Sequence, residues 1–406
     1  MAKSSQILVL NAGSSTLKYA LYRAVGGVCS TSASASGAIE KIGESEQKVV
    51  HKVHNGDSEK YKETAILDQK TALSHAFALL GGRALSEISA VGHRVVHGGE
   101  QMTRPLLVDN TVLKAIRDAT PLAPLHNPSN LLGIETSMAL LPKTIPHVCV
   151  FDTAFHSTIP EKAFLYGIPY SYYKNHAVRR YGFHGTSHEY VLEQAAATLK
   201  KPVDKMNAIT CHLGAGCSIS CIKNGQSIDT SMGMTPSEGL LMATRSGDID
   251  VGIVFHLAKQ LNMSLEEIEQ MLLQESGWYG LCGMKDMRDI EDEFHSGSEV
   301  AERAVGVLVH RIRKYLGAYY WNLNGNIDCI VFTGGVGSNW PYLRTACLEG
   351  CNKIGIELVE RLNSDAVGMN TVQDISSNQS AVKVLVIPTN EELRIAQHTL
   401  STIDDL

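Results

Sequence analysis

Four short segments of this chain hold more ionisable and polar residues than a fold needs. Gly92-His-Arg-Val-Val-His-Gly-Gly99 sets Arg94 between two histidines and ends in glycines. Phe151-Asp-Thr-Ala-Phe-His156 follows the apolar run Val148-Cys-Val150, so Asp152 falls at the end of an expected strand. Arg179-Arg-Tyr-Gly-Phe-His-Gly-Thr-Ser-His188 gathers two arginines and two histidines, His184 among them, around a glycine loop. The stretch from Asp229-Thr-Ser-Met-Gly233 to Thr244-Arg-Ser-Gly-Asp-Ile-Asp250 adds hydroxyl donors, Arg245 and two aspartates. Arginines in glycine-flanked loops suit anion clamps, because the planar guanidinium meets phosphate or carboxylate through two bonds at once. A solvated pair at Arg179-Arg180 and turn duties for Asp248 and Asp250 are the plain alternatives. His184 and His188 are spaced like a helical metal pair, but the glycine between them and the lack of a third nearby ligand speak against zinc.

A second pattern occurs three times: a short apolar run followed by glycine and small polar residues. Ile7–Leu10 leads into Asn11-Ala-Gly-Ser-Ser-Thr-Leu-Lys18, Ala208–Cys211 into His212-Leu-Gly-Ala-Gly-Cys-Ser218, and Ile327–Phe332 into Thr333-Gly-Gly-Val-Gly-Ser-Asn339. A buried strand ending in such a loop leaves backbone N–H groups where an anion can approach closely. Each could be a simple tight turn. Together they suggest two structurally related halves serving one polyphosphate. There is no GxxxxGK[ST], and Gly335-Val-Gly337 is not a complete dinucleotide fingerprint. Phosphate loops, Arg and His donors and a few carboxylates for magnesium are what phosphoryl transfer requires.

The elements that must position these residues read as α/β, with strand-like runs alternating with helix-like ones. Leu17–Tyr22 resumes as a strand, so the first loop is expected to be a hairpin turn. Residues 26–66 are expected to supply the edge strands of an antiparallel extension. Helices are expected over Thr71–Leu80 and Thr186–Leu199, and Val305, Leu308, Ile312, Tyr315 and Leu316 share one helical face. Ser264 with Glu267, and Thr389 with Glu392, read as capping boxes. At 406 residues the chain has room for roughly two domains. Its formal net charge of −6 and lack of a basic run argue against nucleic acid, so any phosphate site is a local positive focus. No apolar stretch approaches a membrane span or a signal segment, and nine cysteines without a CxxC pair read as reduced thiols of a cytoplasmic protein.

Beyond these readings, the motifs resemble those of the acetate kinase family, within the superfamily of sugar kinases, actin and Hsp70-type ATPases. The resemblance runs nearly end to end, through LNAGSSTLKY at 10–19, GHRVVHGG at 92–99, PLAPLHNP at 121–128 and FDTAFHSTIP at 151–160. It continues through RRYGFHGTSHEYV at 179–191, HLGAGCS at 212–218, DTSMGMTPSEGL at 229–240, ATRSGDID at 243–250, FTGGVGSN at 332–339 and PTNEEL at 388–393. It implies a two-domain actin-like ATPase fold (ribonuclease H-like) with an interdomain cleft. The first domain would take residues 1–153 plus 388–406 and the second 154–387, the latter carrying nucleotide binding and a homodimer interface.

The activity so implied is Mg-ATP + acetate ⇌ ADP + acetyl phosphate, with Mn²⁺ as a possible substitute metal. The resemblance assigns Asn11 and Glu391 to the metal, Lys18 to a phosphate oxygen, and Arg94, His184 and Arg245 to the transferring phosphoryl group. Asp152 is the family's catalytic acid/base; a carboxylate substrate is already ionised at neutral pH, so alignment of an arginine or of a metal-bound water fits the chemistry better. Val96, Leu125, Phe183 and Pro236 match the apolar acyl pocket. His212, Leu213, Gly214, Ala215 and Gly216, Asp286, Met287 and Arg288, and Gly335, Val336, Gly337, Ser338 and Asn339 match the nucleoside side. Three positions depart from the family pattern: Ala215 for Asn, Ser338 for Glu, and Val251 for Pro. Propionate or another short acyl group, pyrophosphate as donor, and a non-catalytic nucleotide-binding protein of the same superfamily are the alternatives. The last leaves HRVVHGG and YGFHGTSH unexplained.

Overall fold

The computed structural model describes residues 4–13, 15–43, 47–53, 58–63, 66–124 and 126–405, with backbone only at 4, 58–63 and 83. Ser14 of the first glycine loop and the acyl-pocket candidate Leu125 lie outside the described residues. The chain forms two compact units, Met1–Phe155 with Asn390–Leu406, and His156–Thr389.

The first unit carries strands β1 (Ser4–Ala12), β2 (Thr16–Val25), β3 (Val28–Cys29), β4 (Ala35–Glu40), β5 (Gln47–Val53), β6 (Ser58–Glu63), β7 (Ile88–Val95), β8 (Leu106–Leu107) and β9 (His147–Phe151). Among the described residues their order is β6-β5-β4-β2-β1-β7-β9-β8, with β3 on β2. The second unit carries β10 (Ala208–Leu213), β11 (Cys217–Lys223), β12 (Gln226–Thr230), β13 (Cys329–Thr333), β14 (Gln373–Asp374) and β15 (Lys383–Val386), in the order β12-β11-β10-β13-β15-β14. In both, three antiparallel strands are followed by two parallel ones: β4-β2-β1 then β7-β9, and β12-β11-β10 then β13-β15. That repeat is the ribonuclease H-like core of the expected fold, and it makes the two halves related in topology.

The central strands are apolar on both faces because helices cover them. Ile7, Leu8 and Val9 are fully buried, as are Ile209, Cys211, Val331 and Phe332. Leu8, Leu10, Leu17 and Tyr19 pack with Leu73, Ala76 and Phe77 of the helix Gln69–Ser86, whose N-cap Asp68 accepts the Thr71 N–H. The helix outruns its expected end at Leu80 because the chain resumes helical geometry after a kink at Gly81. The C-terminal helix Glu391–Asp404 packs on β1, β7 and β9. Gly92 permits that close approach, since a Cβ there would run into Thr399 and Ile395.

The capping box expected at Ser264 and Glu267 is present. The one expected at Thr389 is not: Asn390 caps the last helix through Leu393 N–H, and Thr389 instead accepts from the Ser187 hydroxyl. Gly334–Asn339 forms one helical turn rather than a loop.

Candidate active site

Strand ends gather the charged residues of the first unit. β1, β7 and β9 run parallel, so their carboxyl ends carry Asn11, Arg94 and, one residue beyond β9, Asp152 to the same edge. The Asp152 N–H still bonds to the Val95 carbonyl at 2.9 Å, which fixes the first residue past the ladder. Its carboxylate is 1% exposed and takes a two-oxygen grip from Arg94, with Nε at 3.0 and 3.1 Å and Nη2 at 2.6 Å. Arg94 Nη1 lies 3.4 Å from the Asn11 side-chain oxygen, and Nε 4.0 Å from Glu391, the first residue of the C-terminal helix. Lys18 stands opposite Asn11 in the β1–β2 hairpin and is exposed. Burial works against the Arg94 charge, but the Asp152 and Glu391 carboxylates more than offset it and hold the guanidinium above its ordinary value. Burial pushes the Asp152 carboxyl up while Arg94 pulls it back, and the geometry is that of an ionised pair.

The backbone beyond β7 is held by two asparagines of the helix Asn127–Leu140. Asn130 accepts the Val96 N–H at 3.0 Å and donates to the Ala12 carbonyl at 2.6 Å. Asn127 accepts the His97 N–H at 3.1 Å and returns a bond to its carbonyl at 3.0 Å. Gly133 allows the approach, since a Cβ there would lie 2.7 Å from Ala12 Cβ. Val96 is thereby fixed, buried, two residues past Arg94.

In the second unit His184 adopts a left-handed backbone (φ 57°) just before the helix Gly185–Leu199. Its Nδ1 is 2.9 Å from Ser218 Oγ and its ring stacks on His212 with centroids 4.3 Å apart. A Cβ built on Gly216 would stand 3.3 Å from His184 Nε2 and 3.9 Å from Arg245 Nη1, so the two side chains converge over that glycine. The Arg245 guanidinium donates to the Pro236 carbonyl at 2.6 Å. His188 is fully buried between Thr210 (2.7 Å) and Ser218 (2.8 Å), with burial holding its pKa well below the ordinary value. It is a polar core residue. Phe183 is fully buried, and its carbonyl accepts from His156 at 2.9 Å.

A cavity of about 430 Å³ joins three distant stretches of this unit: Gly214 and Ala215; Trp278 with Lys285–Arg288 and Glu291; and Gly335, Val336, Asn339 and Trp340. Asp286 caps the helix Met287–His295 and holds the exposed Arg288 guanidinium, Nε 3.0 Å from its carboxylate. That volume and the two indole walls suit a flat ring system.

A family model described as the acetokinase family matches residues 6–397. An acetate kinase of Desulfotalea psychrophila is 46% identical, covering 98% of this chain and 100% of its own. One of Thermotoga maritima is 45% identical over 99% of both chains. This chain belongs to the acetokinase family. Among solved structures, acetate kinase of Porphyromonas gingivalis superposes with a TM-score of 0.89 at 38% identity, covering 98% of this chain and 100% of that one. A propionate kinase of Francisella tularensis does so with a TM-score of 0.90 at 39% identity, covering 98% and 99%.

Not all of the expected nucleoside-side residues line this cavity. Leu213 is core, its backbone pressed on Gly334, and Gly337 and Ser338 are not among the residues lining the cavity. Their carbonyls accept from the fully buried Arg344, at 2.8 and 2.9 Å. Of the positions that depart from the family pattern, Ala215 lines the cavity and Ser338 does not. Val251 is the first residue of the helix Val251–Gln260, where the N–H has no intrahelical partner, so valine serves as proline would. Arg179 and Arg180 are both partly buried and engaged by protein groups. Arg179 lies over the Phe164 ring at 3.6 Å, and Arg180 binds backbone carbonyls and Glu238. Asn127, Asn130, Trp278 and Trp340 are residues that sequence reasoning missed. The HNPSN stretch, two asparagines at i and i+3 beside a helix-opening proline, was the signal available for the first pair.

Proposed function

We propose that this chain is an acetate kinase that moves the terminal phosphoryl group of Mg-ATP directly, in line, onto acetate, and reversibly. The observation that carries this is the Arg94–Asp152 pair between Asn11 and Glu391. The charge of the phosphoryl group spreads over three equatorial oxygens during transfer, and Arg94, Arg245 and His184 meet that charge. Acetate arrives ionised, so Asp152 serves to align Arg94 rather than to take a proton. Lys18 neutralises a phosphate oxygen, and Val96 limits the length of the acyl chain. The nucleoside occupies the cavity between Ala215, Trp278, Arg288 and Trp340.

Asn11 and Glu391 fit magnesium. One amide oxygen and one carboxylate are a hard-oxygen set, and Mg²⁺ takes its other ligands from phosphates and water. Among the described residues no group of three or more His, Cys, Asp or Glu offers a closed cage for another metal. The ion, when bound, screens the phosphate charge of the donor.

The test is hydroxamate detection of acetyl phosphate from ATP, Mg²⁺ and acetate. No product at high acetate overturns the enzyme reading and leaves a nucleotide-binding protein. Turnover with pyrophosphate alone would overturn the nucleotide assignment. The Francisella neighbour makes propionate the rival acceptor, decided by kcat/KM for the two acids.

A homodimer through the second unit accounts for the helix Val251–Gln260, none of whose residues is buried although Val251, Ile253 and Phe255 are apolar. Sedimentation returning a monomer at micromolar concentration would remove it. Nine free cysteines suit the reducing cytosol.

A further inference from the structure

Arg245 receives its position from a segment that is itself clamped. Arg180 Nη1 donates to three successive carbonyls, Thr230 at 2.8 Å, Ser231 at 3.2 Å and Met232 at 3.0 Å, while Nη2 bonds to Glu238 Oε1 at 2.5 Å. The other Glu238 oxygen accepts from the Tyr166 hydroxyl, which in turn accepts the Met234 N–H at 2.9 Å. Gly233 threads between these groups: a Cβ there would collide with both Glu238 and Tyr166. Its carbonyl accepts the N–H groups of Tyr181 and Gly182 at 3.0 and 3.2 Å, tying the segment to the loop that presents His184. Two residues before Glu238, the Pro236 carbonyl takes the Arg245 guanidinium at 2.6 Å.

We propose that Arg180, Glu238 and Tyr166 are positioning residues that fix the Thr230–Glu238 segment so that the Pro236 carbonyl aims Arg245 at the transferring phosphoryl group. None of the three touches substrate. Every Arg180 nitrogen faces a protein acceptor, since Nε lies 4.0 Å from Asp229, which leaves no fork for a ligand anion. The pair is well shielded, with 16% of the Arg180 side chain and 30% of the Glu238 side chain exposed, so the charges hold one geometry instead of exchanging with water. Arg245 Nη1 also reaches Met242 Sδ at 3.7 Å, a far weaker acceptor than the Pro236 carbonyl at 2.6 Å, so the carbonyl dominates its orientation. Fixing the carbonyl removes the freedom that would blur the alignment a transition state needs.

This inference rests on the reading of Arg245 as a donor to the phosphoryl group. The experiment is a double-mutant cycle in the acetyl phosphate assay, with ATP and acetate both varied and each variant's melting temperature recorded. Glu238→Gln keeps the shape but removes the charge facing Arg180. It is expected to lower kcat ~10-fold, the scale of coupling within one hydrogen-bond network. KM for ATP should stay unchanged, because the nucleoside cavity does not include these residues. Arg245→Ala is expected to cost ~10²–10³ in kcat. The double variant should be no slower than Arg245→Ala alone, because a clamp that acts only through Arg245 has nothing left to aim. Multiplicative loss in the double variant, or wild-type kcat in Glu238→Gln, overturns the clamp. Wild-type kcat in Arg245→Ala overturns the parent reading, and the clamp with it. Should Glu238→Gln fail to fold, Tyr166→Phe removes only the hydroxyl and must show the same split, a lower kcat at constant ATP KM, or the clamp is refuted.

Discussion

Asp152→Asn separates alignment from proton transfer. Asp152 is 1% exposed and gives Arg94 both carboxylate oxygens; asparagine offers one neutral oxygen and an NH₂ that repels the guanidinium. Removing one partner of a wholly buried pair costs ~3–5 kcal/mol, because the other charge is stranded. Arg94 is not stranded here: its side chain is 21% exposed and Glu391 lies 4.0 Å from Nε. The stability loss should therefore be nearer ~1–3 kcal/mol, one charge-assisted bond to a partly solvated group, and the variant should fold. The rate should suffer more. Arg94 without its brace loses the orientation that makes it useful to a charge developing in the transition state, a loss worth ~10²–10³ in kcat. The assay is hydroxamate turnover in H₂O and in D₂O. If Asp152 only aligns, no proton moves in the transition state, and the wild-type solvent isotope effect on kcat is near unity. A large normal isotope effect in the wild type that vanishes in Asp152→Asn would refute the alignment role and make Asp152 a true acid/base.

Four further outcomes follow from the same geometry. Arg94→Ala should fold and lower kcat ~10²–10³ with little change in KM for ATP, and near wild-type turnover would show that it does not meet the phosphoryl group. Val96→Ala should raise kcat/KM for propionate relative to acetate, by the ~1–3 kcal/mol that one methylene is worth; an unchanged ratio would place the acyl group elsewhere. Ala215→Asn adds a side-chain donor to the cavity proposed for the nucleoside, worth ~0.5–1.5 kcal/mol, so KM for ATP should fall severalfold at constant kcat. His156 is fully buried, donates to the Phe183 carbonyl, and has its pKa lowered from 6.5 to about 4 by burial. The unfolded chain takes that proton near pH 6.5 and the folded one near pH 4, so the stability it contributes is full above pH 6.5 and lost as pH falls through that window. Melting at pH 5 against pH 7.5 should show a loss on the order of 2 kcal/mol from this residue, smaller in His156→Gln; identical pH profiles would exclude it.

The first glycine loop was legible because Ile7–Leu10 and Leu17–Tyr22 both read as strands, and so few residues between them can only turn back. The cap at Ser264 was legible because its partner is three residues away. The cap at the last helix was misread by one residue because Thr389 and Asn390 are both good caps locally, and Thr389 was claimed by Ser187, 202 positions earlier. Arg180 was left open for the same kind of reason: an arginine beside glycines looks alike whether it faces a phosphate or three carbonyls at the end of β12 and just past it, some 50 residues on.

By itself the sequence determined what local chemistry determines. It set the α/β alternation, the glycine loops after buried strands, the motifs that carry Arg94, His184 and Arg245, and the family to which those motifs belong. Tertiary structure alone decided which groups face a ligand and which serve the fold. It paired Asp152 with Arg94 across adjacent parallel strands, set Asn130 on the Ala12 carbonyl 118 residues away, and put Trp278 and Trp340 on the walls of one cavity. A side chain carries its hydrogen-bonding capacity in its own identity, but its partner is fixed only when distant strands and helices pack. Burial then leaves each polar group no choice but to bond with whatever the fold has brought beside it.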